Sequence, residues 1–195
     1  MGQQQHLHGR RPQLVHAPGG KQRHLWEIHL FKSTDGGTTW TAQNSGNPLT
    51  SLQIHAGGAY GGPGIYPTQV GGLYQLWYHA VNASGDLPTD IYRATSPDLI
   101  NWTPITPNPV LTHLGSGFEF DQVADPCVVE VAGTSYLFYD GDNNGTSTAA
   151  IGVATIGEPV ANVITAVAGA PTRLGTGSVG QVPTVNASGG LSPTC

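Results

Sequence analysis

Short apolar runs alternate with clusters of Gly, Pro, Ser, Thr and Asn along most of this chain, a pattern that predicts many brief β-strands joined by turns. Leu14-Val-His-Ala17 and Trp26 to Lys32 read as strands, followed by a turn over Ser33-Thr-Asp-Gly-Gly-Thr-Thr-Trp40 and a polar strand, Thr41 to Gln43. Leu73-Tyr-Gln-Leu-Trp-Tyr-His-Ala80 is apolar at both odd and even positions, so both of its faces are expected to be buried. A loop from Val81 to Pro88 leads to Asp90-Ile-Tyr-Arg-Ala-Thr95, then to a turn over Ser96-Pro-Asp-Leu-Ile-Asn-Trp102 and a closing strand from Thr103. Cys127 to Val131 and Tyr136 to Tyr139 form a strand pair around a tight turn at Ala132-Gly-Thr134, and Ala150 to Thr155 follows. Pro126 cannot donate a ladder hydrogen bond, which sets Asp125-Pro126 at the entrance of its strand or at a sheet edge.

The order of these elements recurs. Ser33 and Ser96 stand 63 residues apart, Trp40 and Trp102 stand 62 apart, and Pro63 and Pro126 stand 63 apart. Ala17, Ala80 and Gly141 close the second strand of each unit, and Ile28, Ile91 and Ile151 open the third. A period near this length with about four short strands per unit predicts the blades of a β-propeller. The expected fold is therefore all-β, with four-stranded antiparallel blades at about residues 13–50, 51–108 and 109–165. Residues 1–12 are polar and without period and are expected to be disordered, and 166–195 reads as a low-complexity Gly/Ser/Thr/Ala tail. Propellers close with roughly 4–8 blades. Two and a half to three blades then predict a fragment, a truncated reading frame, or a chain that associates with others.

Composition narrows the function classes. Charged residues make up only 10% of the 195, and the net charge of −5 leaves no basic footprint for nucleic acid. No apolar run approaches the ~18 residues of a membrane span. The N-terminus, Met1-Gly-Gln-Gln-Gln-His-Leu-His-Gly-Arg10, lacks the hydrophobic core of a signal peptide, and localisation is left unknown. Two cysteines, Cys127 and Cys195, make a poor disulfide framework, and Cys127 is expected to be a buried thiol.

The turn Ser33 to Trp40 resembles the Asp box of sialidases and related propellers, a structural hairpin in which Asp and Gly make the turn and Trp packs back to pin it. Ala-Thr-Ser-Pro-Asp-Leu-Ile-Asn-Trp (94–102), Ala-Asp-Pro-Cys-Val-Val (124–129) and Tyr-Leu-Phe-Tyr-Asp-Gly (136–141) together resemble the glycoside hydrolase superfamily of families 43, 62, 32 and 68, over about residues 54–156. The resemblance implies a five-bladed propeller that cleaves glycosides of arabinose, xylose or fructose, with three carboxylates around a central pocket. It also implies an extracellular location and a carbohydrate as substrate or ligand. Such chemistry needs a proton donor and a second carboxylate as base or nucleophile. Asp125 matches the Asp-Pro carboxylate that modulates the acid or stabilises the developing charge. The same Asp also reads as a cap on the strand entrance. Glu119 and Asp121, on the approach loop, are the other candidate carboxylates, either entering the pocket or remaining in solvent. The position equivalent to Asp125 in the preceding blade is Gly62, which carries no acid.

Tyr66 and His79 are candidate substrate-binding residues, and Trp77 reads as core between blades. Asp140-Gly-Asp-Asn-Asn-Gly145 begins like a calcium loop, but position twelve is Ile151, so a hairpin is the better account and no metal is assigned. No cofactor fingerprint, Cys-x-x-Cys or G-x-S-x-G spacing is present. The rival readings are a non-catalytic carbohydrate-binding or surface propeller and a sialidase-like protein. The second needs an arginine cluster, and only Arg93 and Arg173 lie beyond residue 23.

Overall fold

The structure, a computed structural model, describes residues 4–10, 25–66, 69–132, 134–143, 149–156 and 172–177. It is all-β, built as a partial β-propeller. The described residues hold two 3-10 turns and no α-helix.

The described residues form three antiparallel meanders. The first is three-stranded, with β2 (Glu27–Ser33) flanked by β1 (Gln4–Arg10) and β3 (Thr41–Ala42). The second runs β4 (Tyr60–Ile65), β5 (Tyr74–Val81), β6 (Thr89–Ser96) and β7 (Thr103–Pro104). The third runs β8 (Gln122–Val131), β9 (Thr134–Asp142), β10 (Ala150–Ile156) and β11 (Thr172–Gly177). Among the described residues the second and third sheets share backbone pairing at a single parallel point, Thr89 against Gln122.

The outer strand of the first sheet differs from expectation. Gln4–Arg10, read from its polarity as disordered, pairs with the whole length of β2. The expected strand Leu14 to Ala17 lies outside the described residues. Thr172–Gly177, inside the stretch read as a low-complexity tail, pairs with β10. In both cases the strand gains its hydrogen bonds from an existing sheet edge, which a lone sequence window does not reveal. Cys127 is disulfide-bonded, so the free-thiol expectation fails; its partner lies outside the described residues.

Packing follows the two-residue period of the strands. On β5, Leu76, Tyr78 and Ala80 face one layer, together with Ile28, Leu30, Leu49, Leu52, Tyr92, Ala94 and Trp102. Trp77 faces the other layer, with Ile91, Leu111, Val123, Leu137, Tyr139 and Ala154. The second sheet is thus covered on both faces, as its unbroken apolar pattern requires. Arg93 is buried in the second layer, its guanidinium 4.8 Å over the Trp77 ring, and donates to Gln75. Loss of hydration alone pulls its pKa down to about 10.

Two hairpin turns share one bonding scheme. Ser33 Oγ donates to Asp35 Oδ1 at 2.8 Å, Thr38 and Thr39 amides donate to the same carboxylate, and Trp40 Nε1 donates to Gly37 O at 3.0 Å. Ser96 Oγ donates to Asp98 Oδ1 at 3.0 Å, Ile100 and Asn101 amides donate to that carboxylate, and Trp102 Nε1 donates to Leu99 O at 2.8 Å. Gly37 and Leu99 both take positive φ, 91° and 65°. Hydrogen bonds, led by those from Thr39 and from Asn101, hold each Asp at a pKa of about 2. A lowered pKa stabilises the turns above the ordinary Asp value of 3.8, and that contribution is lost as pH falls toward about 2. The amide resonances of Thr39 and Asn101 should therefore move together with acidification over that interval. Amides that stay fixed there would refute the carboxylate as the organiser of the turn.

Candidate functional site

A cavity of about 540 Å³ opens where the N-terminal ends of β4 and β8 approach each other, a volume within the range of small-ligand sites. Its walls are Trp26, Pro63 and Leu87, and its polar groups come from His79, Asp86, Thr89, Gln122 and Asp125. No lysine or arginine lines it among the described residues.

Each group is placed by backbone bonding nearby. Trp26 is carried in by its carbonyl, which accepts the Tyr60 amide at 2.9 Å. Asp86 follows Gly85, whose amide donates to Gly57 O and whose carbonyl accepts from Ala59, both at 2.9 Å. Thr89 donates its amide to Asp121 O at 3.2 Å and its hydroxyl to Val123 O at 3.1 Å, which fixes Gln122 beside it.

Asp125 stands on a β-bulge. The register slips between Ala124 and Cys127, so two residues, Asp125 and Pro126, have no partner on β9. The bulge turns Asp125 to φ 46°, the left-handed region that Asp tolerates better than most side chains. Its carboxylate is 67% exposed whereas the His79 ring is 13% exposed: the carboxylate meets pocket water and the ring supports it from behind. Asp125 N donates to His79 Nδ1 at 3.3 Å, and Asp125 Oδ1 lies 3.5 Å from the same nitrogen. When the His79 ring is protonated, hydrogen bonding to it lowers the Asp125 pKa, burial opposes it, and the positive charge of the ring adds to the lowering. Asp125 is held ionised.

The counterpart bulge on β4 lies between Gly61 and Gly64, with Gly62 at φ 54° and Pro63 after it. A Cβ on Gly62 would run into Asp125 Oδ1 and come within 2.6 Å of His79 Nδ1. The acid of one bulge fills the space that a side chain on the other would need.

Asp140, paired with Ala124 across β8 and β9, behaves in the opposite sense. Burial raises its pKa first, and the charges of Asp125 and Asp142 add to that, against smaller lowering by His79 and by a hydrogen bond with Gln122. Two coupled carboxyl groups thus have pKa values displaced in opposite directions, the arrangement that separates an acid from a base.

The remaining candidates lie elsewhere. Glu119 is 1% exposed and accepts from Tyr139 OH at 2.7 Å, so it is neither in the cavity nor in solvent. The turn that carries it folds onto β9, with the Phe118 ring stacked 6.4 Å from Tyr139. Asp121 is half-buried and does not line the cavity, although its carbonyl anchors Thr89. Tyr66 also stands outside the cavity, donating to Glu130 Oε2 at 3.0 Å. Trp26 and Asp86 were not identified from the sequence, since nothing local marks either as a pocket residue. Asp140 was weighed only as a calcium ligand. The signal that would have found it was present: it closes its strand as His79 closes the strand before.

No protein-family model and no curated protein sequence matches this chain. Several solved structures share the fold. The complex of BT0996 with RGII aligns with TM-score 0.56 and 21% identity, over 83% of this chain and 42% of its own. A glycoside hydrolase aligns with TM-score 0.55 and 22% identity, over 77% of this chain and 40% of its own. Zg3597, a family 117 glycoside hydrolase from the marine bacterium Zobellia galactanivorans, aligns with TM-score 0.55 and 20% identity, over 76% and 41%. The chain spans about two fifths of the length of these structures. At such identities the likeness is one of fold.

Proposed function

We propose that this chain forms part of the sugar pocket of a glycoside hydrolase-like propeller that hydrolyses O-glycosidic bonds in arabinose-, xylose- or fructose-containing polysaccharide. The observation that carries the reading is Asp125: an ionised carboxylate on a strained bulge, exposed in a cavity, with a second carboxyl group nearby whose proton is held more tightly. Asp125 serves as the auxiliary carboxylate that stabilises positive charge developing on the sugar ring. Asp140, beside the cavity rather than in its lining, keeps its proton to higher pH than an ordinary Asp and is the candidate proton source. A cavity with an exposed Trp26 face and, among the described residues, no lysine or arginine suits a neutral sugar. The motifs at 94–102, 124–129 and 136–141 support the narrower kinship with families 43, 62, 32 and 68, and the turn at 33–40 supports an Asp-box hairpin in a repeated blade. Further blades, from a longer chain or from association, complete the pocket in this reading. Ile151, 52% exposed on the third sheet, supports an additional packing partner there.

A second reading is a carbohydrate-binding or surface propeller without turnover. It is favoured by Glu119, which is sealed in the core and leaves Asp86 and Asp125 as the carboxylates lining the cavity among the described residues. The two separate in one assay of the purified protein with aryl arabinofuranosides, aryl xylosides and fructans. Release of the aryl group or of fructose, lost in Asp125→Ala, supports the hydrolase. Binding of arabino-, xylo- or fructo-oligosaccharides without release supports the module. Neither binding nor release would remove the carbohydrate reading altogether.

A further inference from the structure

We infer that His79 is the positioning residue for Asp125, holding its backbone by accepting the Asp125 amide proton, and that it does so only as the neutral imidazole. The premise is that Asp125 matters to the pocket; the bonding argument itself is independent of any sugar.

The bulge creates the need. Between Ala124 and Cys127 the β8–β9 ladder skips, so the Asp125 amide has no carbonyl opposite it, and Pro126 offers no amide at all. A peptide N–H without a ladder partner bonds either to water or to an acceptor brought beside it. The acceptor found is a side chain 46 residues away, His79 Nδ1 at 3.3 Å. That bond also holds a non-glycine residue at φ 46°. The room for the ring is provided by β4: a Cβ on Gly61 would come within 2.9 Å of His79 Nε2, and one on Gly62 within 2.6 Å of Nδ1.

Nδ1 has one lone pair or one proton, never both. Neutral and protonated on Nε2, the ring accepts from the Asp125 amide. Protonated on both nitrogens, it becomes a donor at Nδ1, and the neighbouring acceptor is Asp125 Oδ1 at 3.5 Å. Protonation therefore exchanges a bond that fixes the backbone for one that turns the carboxylate away from the pocket and toward the ring. The charged groups around His79 are Asp125 from β8, Asp140 from β9, and Asp86 in the wall of the same cavity; β4 contributes glycines, and no lysine or arginine lines the cavity among the described residues. Acidification protonates an imidazole and so drives the exchange.

The test is an NMR titration of the uniformly nitrogen-15-labelled protein. The Asp125 amide proton should move upfield with the protonation of the His79 ring, read from the ring's own resonances. His79→Asn places a carbonyl oxygen near the position of Nδ1 and does not titrate; it should keep the amide downfield and remove the shift linked to the ring. His79→Ala should move the amide upfield at every pH. An Asp125 amide that ignores the ring's titration in the wild type overturns the inference, and that measurement needs no variant to fold. A linked shift that survives in His79→Asn overturns it equally. If the protein turns over an aryl glycoside, His79→Ala should lower kcat about tenfold, the loss of one hydrogen bond, with the larger change in kcat than in KM. His79→Asn should restore part of that loss and flatten the acidic limb assigned to the ring. Coupled titration without any turnover would defeat the hydrolase reading and leave the role of His79 standing.

Discussion

Asp125→Asn is expected to lower turnover of an aryl glycoside by about 10²–10⁴-fold, the usual worth of a carboxylate engaged in proton or charge chemistry. The substitution removes a charge and almost nothing else. Asn tolerates the left-handed backbone nearly as well as Asp, so the bulge at φ 46° remains accessible and the fold should survive. The Asp125 amide that bonds His79 Nδ1 belongs to the backbone and is unchanged. What disappears is the negative charge facing the cavity, and with it the reason for the raised proton affinity of Asp140 that comes from Asp125. The alkaline limb of the pH profile, where Asp140 gives up its proton, should shift toward lower pH as that repulsion is relieved. Measuring kcat, KM and oligosaccharide binding for both proteins decides the matter. Turnover that survives intact in the Asn protein would take Asp125 out of the chemistry and leave the binding-module reading in place.

Gly64→Ala is expected to destabilise the protein by about 1–3 kcal/mol and to weaken ligand binding at the same time. The added Cβ would collide with the carbonyl oxygen of Pro126 and lie 3.1 Å from its carbonyl carbon. Both are backbone atoms, so no rotamer change relieves the contact; β4 and β8 have to separate. Pro126 is the residue after Asp125, and the separation pulls the carboxylate away from His79. Denaturant unfolding monitored by tryptophan fluorescence gives the stability change, and the same protein should show a reduced response of the Asp125 amide to pH. A Gly64→Ala protein of wild-type stability would mean that the two inner strands have slack the structure does not show.

Much of the fold was legible because blade packing writes itself into the strands. The apolar positions on both faces of β5 required two covering layers, and Trp77 has its place in one of them beside Arg93. Asp125 was legible only in part: an Asp before a Pro is expected at a strand entrance or a sheet edge, whereas the structure places the pair on a bulge inside β8, where the missing amide is also tolerated. The failures share a cause. Trp26 reaches the cavity through the bond between its carbonyl and Tyr60, and Asp86 through the bonds around Gly85, both tertiary facts with no local pattern. Glu119 looked like a solvent or pocket acid, since nothing adjacent to it foretold the hydroxyl of Tyr139, 20 residues away. Gln4–Arg10 looked too polar for a strand, yet an edge strand is held through backbone groups that every sequence possesses.

The single parallel contact between Thr89 and Gln122 has a consequence for how the molecule holds itself together. Within each meander, opening one strand breaks a ladder of backbone hydrogen bonds; between the two meanders there is almost no ladder to break. Cooperativity across that boundary is therefore carried by side chains, by Trp77, Ile91, Val123, Leu137 and Tyr139, and by the hydroxyl and amide of Thr89. With so little backbone pairing across it, the seam between the second and third sheets is the natural boundary between units of local opening. The cavity lies on that seam. Whatever enters it bridges two bodies that the backbone barely joins, and a bound ligand becomes a tie between them.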